Sequence, residues 1–162
     1  MCSADAGAAE QTAAVMGRRF SVHLGRALNP RLCFNSRSQV VAEPLLEELC
    51  SLGLSRFKLL GVTGHDLTAD GSSYVFGLAE LGGRAALLST FRLRCAEHER
   101  FMLRLLKEAL HELGHTFGLK HCTQSCVMRF SAEVHEVDAK PACFCSSCAS
   151  SLTRFQSLAG RI

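Results

Sequence analysis

HELGHTFGLKH, residues His111 to His121, is the stretch on which the reading of this chain turns. It closes a longer amphipathic run. From Glu97 to Leu119 the residues Leu106, Ala109, Leu110, Leu113 and Phe117 recur at spacings of three and four, which predicts a long helix with one apolar stripe. On such a helix His111 and His115 lie about one turn apart on the same face. Two imidazoles so placed reach a single ion at the ~2.0–2.1 Å of a zinc–nitrogen bond. Glu112 stands beside the first ligand. A bound metal lowers the pKa of its water from ~15.7 toward ~7, and a neighbouring carboxylate can take the proton, so Glu112 is the candidate general base. Gly118 predicts a sharp helix end, because glycine enters the left-handed conformation at little steric cost. That turn brings His121 round as a third ligand. Three histidines leave the fourth tetrahedral position open, as a catalytic rather than a structural zinc requires. His23, His65, His98 and His135 stand apart and are read as surface or hydrogen-bonded residues.

The cysteines form the second signal. Nine occur in 162 residues, and five of them fall between Cys122 and Cys148. Nothing at the N-terminus has the basic start and long apolar stretch of a signal peptide, so a cytoplasmic chain is expected. Thiols stay reduced in that compartment, and cysteines bunched at short spacings there point to metal. Cys122, Cys126, Cys145 and Cys148 make two close pairs, the pattern of a closed tetrahedral zinc site of structural type. Two zinc ions per chain are therefore expected. Cys143 is an alternative to Cys145, since CFCSSC offers three thiols for two positions. Cys2, Cys33, Cys50 and Cys95 lie apart and read as core or surface thiols.

Working outward, composition sets the class. Apolar residues make up 48% and charged residues 20%, ordinary for a globular domain, and the net charge is only +3. No basic run with interleaved aromatics argues for nucleic acid. No segment approaches the ~18 apolar residues of a membrane span. Residues 1–17, small and Ala-rich, are expected to be a flexible tail, and 18–162 one domain acting as a monomer. Arg18 to Gly25 alternates like a strand. Ser38 to Leu52 carries Val41, Leu45, Leu49 and Leu52 at helical spacing, with Pro44 suited to a first turn or to a kink. Phe57 to Val62 predicts a strand that leads into a loop at Gly64 to Asp70. Ser73 to Ala79 and Arg84 to Ser89 flank Gly82-Gly83 as a hairpin would. His121 to Pro141 reads as irregular, and Cys145 to about Leu158 as a closing helix.

The zinc pattern, followed by Cys122, Cys126, Met128 and the Cys145–Cys148 pair, resembles the archaemetzincins, a metzincin-type family of zinc metalloproteases. Tyr74 to Thr90 is similar to that family's edge hairpin. Only three residues separate Cys122 from Cys126, where the family often has four, and the part before Asn35 is short for its opening strand–helix–strand unit. The resemblance implies an α+β fold, with a mixed twisted sheet above the active-site helix and an antiparallel edge strand near Tyr74 to Ala79. A substrate peptide would add to that edge through main-chain hydrogen bonds. Met128 would form the methionine turn beneath the histidines. The activity expected is hydrolysis of peptide bonds in peptide or protein substrates. The alternative is a non-catalytic, zinc-stabilised module that binds a peptide or partner.

Overall fold

The computed structural model describes residues 32–52 and 58–159. In chain order the elements are β1 (Val40–Val41), α1 (Ala42–Cys50), β2 (Leu59–Thr63), β3 (Leu67–Thr68), β4 (Gly77–Ala79), β5 (Ala85–Ser89), α2 (His98–Thr116), α3 (Val134–Ala139) and α4 (Ser146–Ala159). The fold is α+β, built on a mixed sheet of order β2-β5-β4. β2 runs parallel to β5, from Leu59 opposite Ala85 to Thr63 opposite Ser89, whereas β4 runs antiparallel with Gly77 opposite Leu88. β1 and β3 make a separate two-residue parallel pair.

β5 explains the layering. Its sequence, AALLS, has no polar alternation, and all five residues are buried, as expected of a central strand covered on both faces. Ala85 and Leu87 enter a cluster with Leu49 of α1. Leu88 points the other way, into the main core with Leu105, Ala109 and Leu110 of α2. The period of two along the strand thus divides the apolar interior between two helices. β4 is left at the edge, alongside α2.

Several expectations shift by a few residues, for stateable reasons. Pro44 sits in the first turn of α1, where a missing N–H costs nothing. The first hairpin strand was expected from Ser73, yet β4 begins at Gly77. Ahead of it, Val75 N–H bonds to Leu67 O at 2.9 Å, and Ser73 O accepts from Gln39 Nε2 at 2.7 Å. The expected loop at Gly64 to Asp70 contains β3. The segment from His121 to Pro141 is not wholly irregular, because α3 lies within it. Its start is a capping box in which the Glu133 side chain accepts from the main chain of Glu136 and the Glu136 side chain accepts from that of Glu133. The expected tail over residues 1–17, the strand over Arg18 to Gly25, and Phe57 lie outside the described residues. Among the described residues, no helix is long and apolar enough to cross a membrane.

Candidate active site and metal centres

The end of α2 builds the site. The helix stops at Thr116, short of the expected Leu119, because Gly118 takes φ +81°. Gly118 N–H bonds to His115 O at 2.8 Å and Leu119 N–H to Gly114 O at 3.1 Å, the paired bonds of a Schellman turn. Lys58 seals the same helix end, donating to Thr116 O at 2.7 Å and to Gly83 O at 2.6 Å. With the chain reversed, His121 faces back onto the helix. Its ring centroid lies 5.3 Å from that of His111 and 4.9 Å from that of His115.

Each helical histidine is oriented by a main-chain carbonyl. His111 Nδ1 is 3.0 Å from Val127 O, and His115 Nδ1 is 2.7 Å from Leu119 O. A carbonyl only accepts, so both Nδ1 atoms carry the proton and both Nε2 atoms present lone pairs. Those two Nε2 atoms lie 3.1 Å apart. Facing lone pairs repel unless a cation lies between them, and tetrahedral zinc would set its nitrogens about 3.3 Å apart. Ligand atoms of all three histidines fall within 4.8 Å of one another, so the group can hold one metal ion. Burial pushes His111 down to about 2 and lowers His115 and His121 as well. In each case the shift favours the neutral form, the one that binds metal.

Glu112 is buried beside them. Its pKa is raised well above the ordinary value, first by burial and then by the nearby Glu108, with Lys140 opposing. β4 crosses directly above it. A Cβ added to Gly77 would come within 2.6 Å of Glu112 Cγ and Cδ, so glycine is what permits the approach. Gly114 plays the matching part below, since a Cβ there would strike Met128 Sδ. Neither glycine was singled out from the sequence, because each is explained by a partner far along the chain. Between β4 and the segment after Met128 runs a cleft of about 810 Å³, with His111, Glu112, His115 and His121 in its wall.

Beneath the cleft lies a charged layer that periodicity does not reveal. Glu108, one turn before Glu112, pairs with Lys140 at 2.7 Å, with both side chains buried. Lys107 Nζ donates to Val137 O and Asp138 O at 2.9 and 2.8 Å. Arg104 binds Asp138 in bidentate fashion and also donates to Leu93 O at 3.1 Å. Three long charged side chains of α2 thus clamp the α3 segment.

The second group comprises Cys122, Cys126, Cys145 and Cys148, whose sulfurs also lie within 4.8 Å of one another. The Sγ atoms of Cys122 and Cys145 are 3.8 Å apart, the spacing that two thiolates ~2.3 Å from one tetrahedral ion would take. Cys126 Sγ accepts from the main-chain N–H groups of Cys145 at 3.3 Å and Met128 at 3.5 Å. Cys145 is drawn down to about 7, chiefly by a main-chain hydrogen bond from Cys148. Cys143 is exposed and stands outside the group, and its carbonyl accepts from Val127 N–H at 2.8 Å. Cys33 and Cys95 are exposed and Cys50 is half-buried.

A sequence model of peptidase family M54 matches residues 32–154. The chain belongs to peptidase family M54. It is 50% identical over 121 residues to the archaemetzincin of Archaeoglobus fulgidus, spanning 74% of this chain and 73% of that one. The crystal structure of the Methanopyrus kandleri archaemetzincin superposes with a TM-score of 0.79 at 37% identity, covering 97% of this chain and 88% of that one. A zinc-dependent peptidase from Methanocorpusculum labreanum superposes with a TM-score of 0.73 at 27% identity, covering 91% and 92%. The M54 protein described here is thus a zinc metalloprotease of archaemetzincin type, with a metzincin-like fold.

Proposed function

We propose that this M54 chain hydrolyses peptide bonds, with His111, His115 and His121 holding zinc and Glu112 acting as general base. The observation that carries the reading is the pair of Nε2 atoms 3.1 Å apart, each with its Nδ1 committed to a carbonyl, next to a buried carboxylate. Zinc bound there supplies Lewis-acid polarisation of the scissile carbonyl and makes water acidic enough to deprotonate near neutral pH. Glu112 takes a proton from the attacking water and returns it to the departing amine nitrogen. The outer edge of β4 aligns an extended peptide through main-chain bonds. The carbonyls of Val127 and Leu119 keep both imidazoles in the metal-binding tautomer.

Cys122, Cys126, Cys145 and Cys148 would hold a second zinc. Four thiolates leave no open position, so that ion serves the fold. The chain is further read as a cytoplasmic monomer acting on peptides, since a cysteine set arranged for metal suits a reducing compartment.

The test is elemental analysis of wild type, Glu112→Gln and His115→Ala, with peptide-library cleavage on the same samples. Two zinc ions in wild type and Glu112→Gln, one in His115→Ala, and cleavage by wild type alone are expected. Two ions in wild type without any cleavage would replace the reading by a non-catalytic, zinc-stabilised peptide-binding module. A single ion in wild type would remove the second site.

A further inference from the structure

The cleft is bridged at one end. Tyr74 belongs to the segment entering β4, and Ala132 to the segment after Met128, on opposite walls of the cleft. Tyr74 Oη–H donates to Ala132 O at 2.7 Å, across 58 positions of sequence. Both partners are held from behind. The Tyr74 ring packs edge-on against Phe76, with centroids 5.5 Å apart, and the Arg92 guanidinium lies 3.8 Å above its centroid. Arg92 is itself fixed by two hydrogen bonds to Asp66, at 2.7 and 2.8 Å. Gln39 Nε2 joins Asp66 to Ser73 O, at 3.0 and 2.7 Å. On the far wall, Glu136 Oε2 accepts from the main-chain N–H groups of Ala132 and Glu133 at 2.6 and 3.0 Å. A chance contact between two mobile loops would lack this support.

The main chain reinforces the closure. Val75 N–H is already bonded to Leu67 O, so the strand edge open to an incoming peptide does not continue past β4 in that direction. β4 itself is only three residues long. The cleft volume of about 810 Å³ falls within the ~300–1,000 Å³ of sites that bury a single small ligand. At the opposite end the exposed side chain of Leu81 leaves the rim without such a bridge.

We propose that the Tyr74–Ala132 bond is a strap that ends the substrate cleft, so that the protein accepts a chain terminus or short peptide and discriminates against an internal stretch of a long one. Tyr74 is in this sense a specificity-determining residue, and the proposal rests on the peptidase reading above. An extended peptide laid along β4 must stop at the strap or break it. Breaking it exchanges the hydroxyl–carbonyl bond for water and displaces a ring that Phe76 meets edge-on and Arg92 covers.

Binding measured without turnover tests this. Fluorescein-labelled Ala-rich peptides with a single Leu, lengthened stepwise at one end or the other, are titrated into zinc-loaded Glu112→Gln and into Glu112→Gln/Tyr74→Phe by anisotropy. In the single variant, extension at one end should weaken binding beyond a fixed length, whereas extension at the other end should not. The double variant keeps the ring but loses the hydroxyl, and it should bind the disfavoured long peptides about two- to tenfold more tightly, with short peptides unchanged. Wild type and Tyr74→Phe should show the same shift in cleavage of long against short peptides. Binding with an identical length dependence in both variants would overturn the strap alone. No binding at any length, with no cleavage by wild type, would overturn the peptide-cleft reading and the proposal with it.

Discussion

The chain before Gly118 and the chain after it are held together by different forces. Among the described residues from Val40 to Thr116 most lie in strands and helices, and the apolar interior is mainly Leu, Ala and Val. From Leu119 to Phe144 the single regular element is the six-residue α3, yet Cys126, Val127 and Met128 are fully buried. Little ladder bonding is available there. The segment is instead pinned by Arg104 and Lys107 of α2, by the pairing of Lys140 with Glu108, and by four converging thiols. The difference teaches that burial without regular structure has to be secured by specific polar or metal anchors, since main-chain groups removed from water still need partners.

The widest separation of the two regions should come from Cys126→Ala. A structural zinc contributes an apparent ~10–16 kcal/mol in small metal-folded units, so losing one ligand should free everything after Gly118. Hydrogen exchange should show protection lost over residues 120–154 and kept in β2 and β5. Retained protection in the later segment would mean that the thiols are not its anchor.

Next in size is Lys140→Met, which leaves Glu108 buried without its partner. The expected cost is about 3–5 kcal/mol by urea unfolding. Adding Glu108→Leu should recover much of it. A loss below about 1 kcal/mol, the scale of a solvent-exposed ion pair, would show that the charged layer does not carry the segment.

The smallest effect on stability, and the most selective, belongs to the regular region. Gly77→Ala forces a methyl group against both the main-chain oxygen of Leu87 and the side chain of Glu112, and overpacking of that kind costs about 1–3 kcal/mol. Turnover should fall much further, by about 100-fold, because the displaced group is the proposed base. A variant that keeps full peptidase activity would show that β4 does not set the position of Glu112.

How much of this was legible in the sequence follows the same division. The helix that carries His111 and His115, its end at Gly118 and the return of His121 depend on neighbours within eleven residues, so local periodicity and one glycine were enough. The thiol pairs were legible because spacing alone marks them. Gly77, Gly114 and Tyr74 were not, since each is explained by a residue remote in the chain. Nor were Lys107, Glu108 and Arg104. Charged positions on an amphipathic helix normally face water, and nothing local shows that α3 covers these. The Glu133–Glu136 pair was a usable signal for α3, but a glutamate at the N-cap is a weak variant of the usual Ser or Thr.

Residues Cys126, Val127 and Met128 each serve a different neighbour: the thiol group, the Nδ1 of His111, and the floor beneath Gly114. Three duties thus fall on three consecutive Cα atoms, each ~3.8 Å from the next. The carbonyl that orients His111 has no slack of its own, because the chain is fastened on either side of it. The two groups are joined as a result. His111 takes its bearing from a peptide unit that directly follows one of the four converging thiols. Damage to the thiols has one residue in which to fade before it reaches an imidazole.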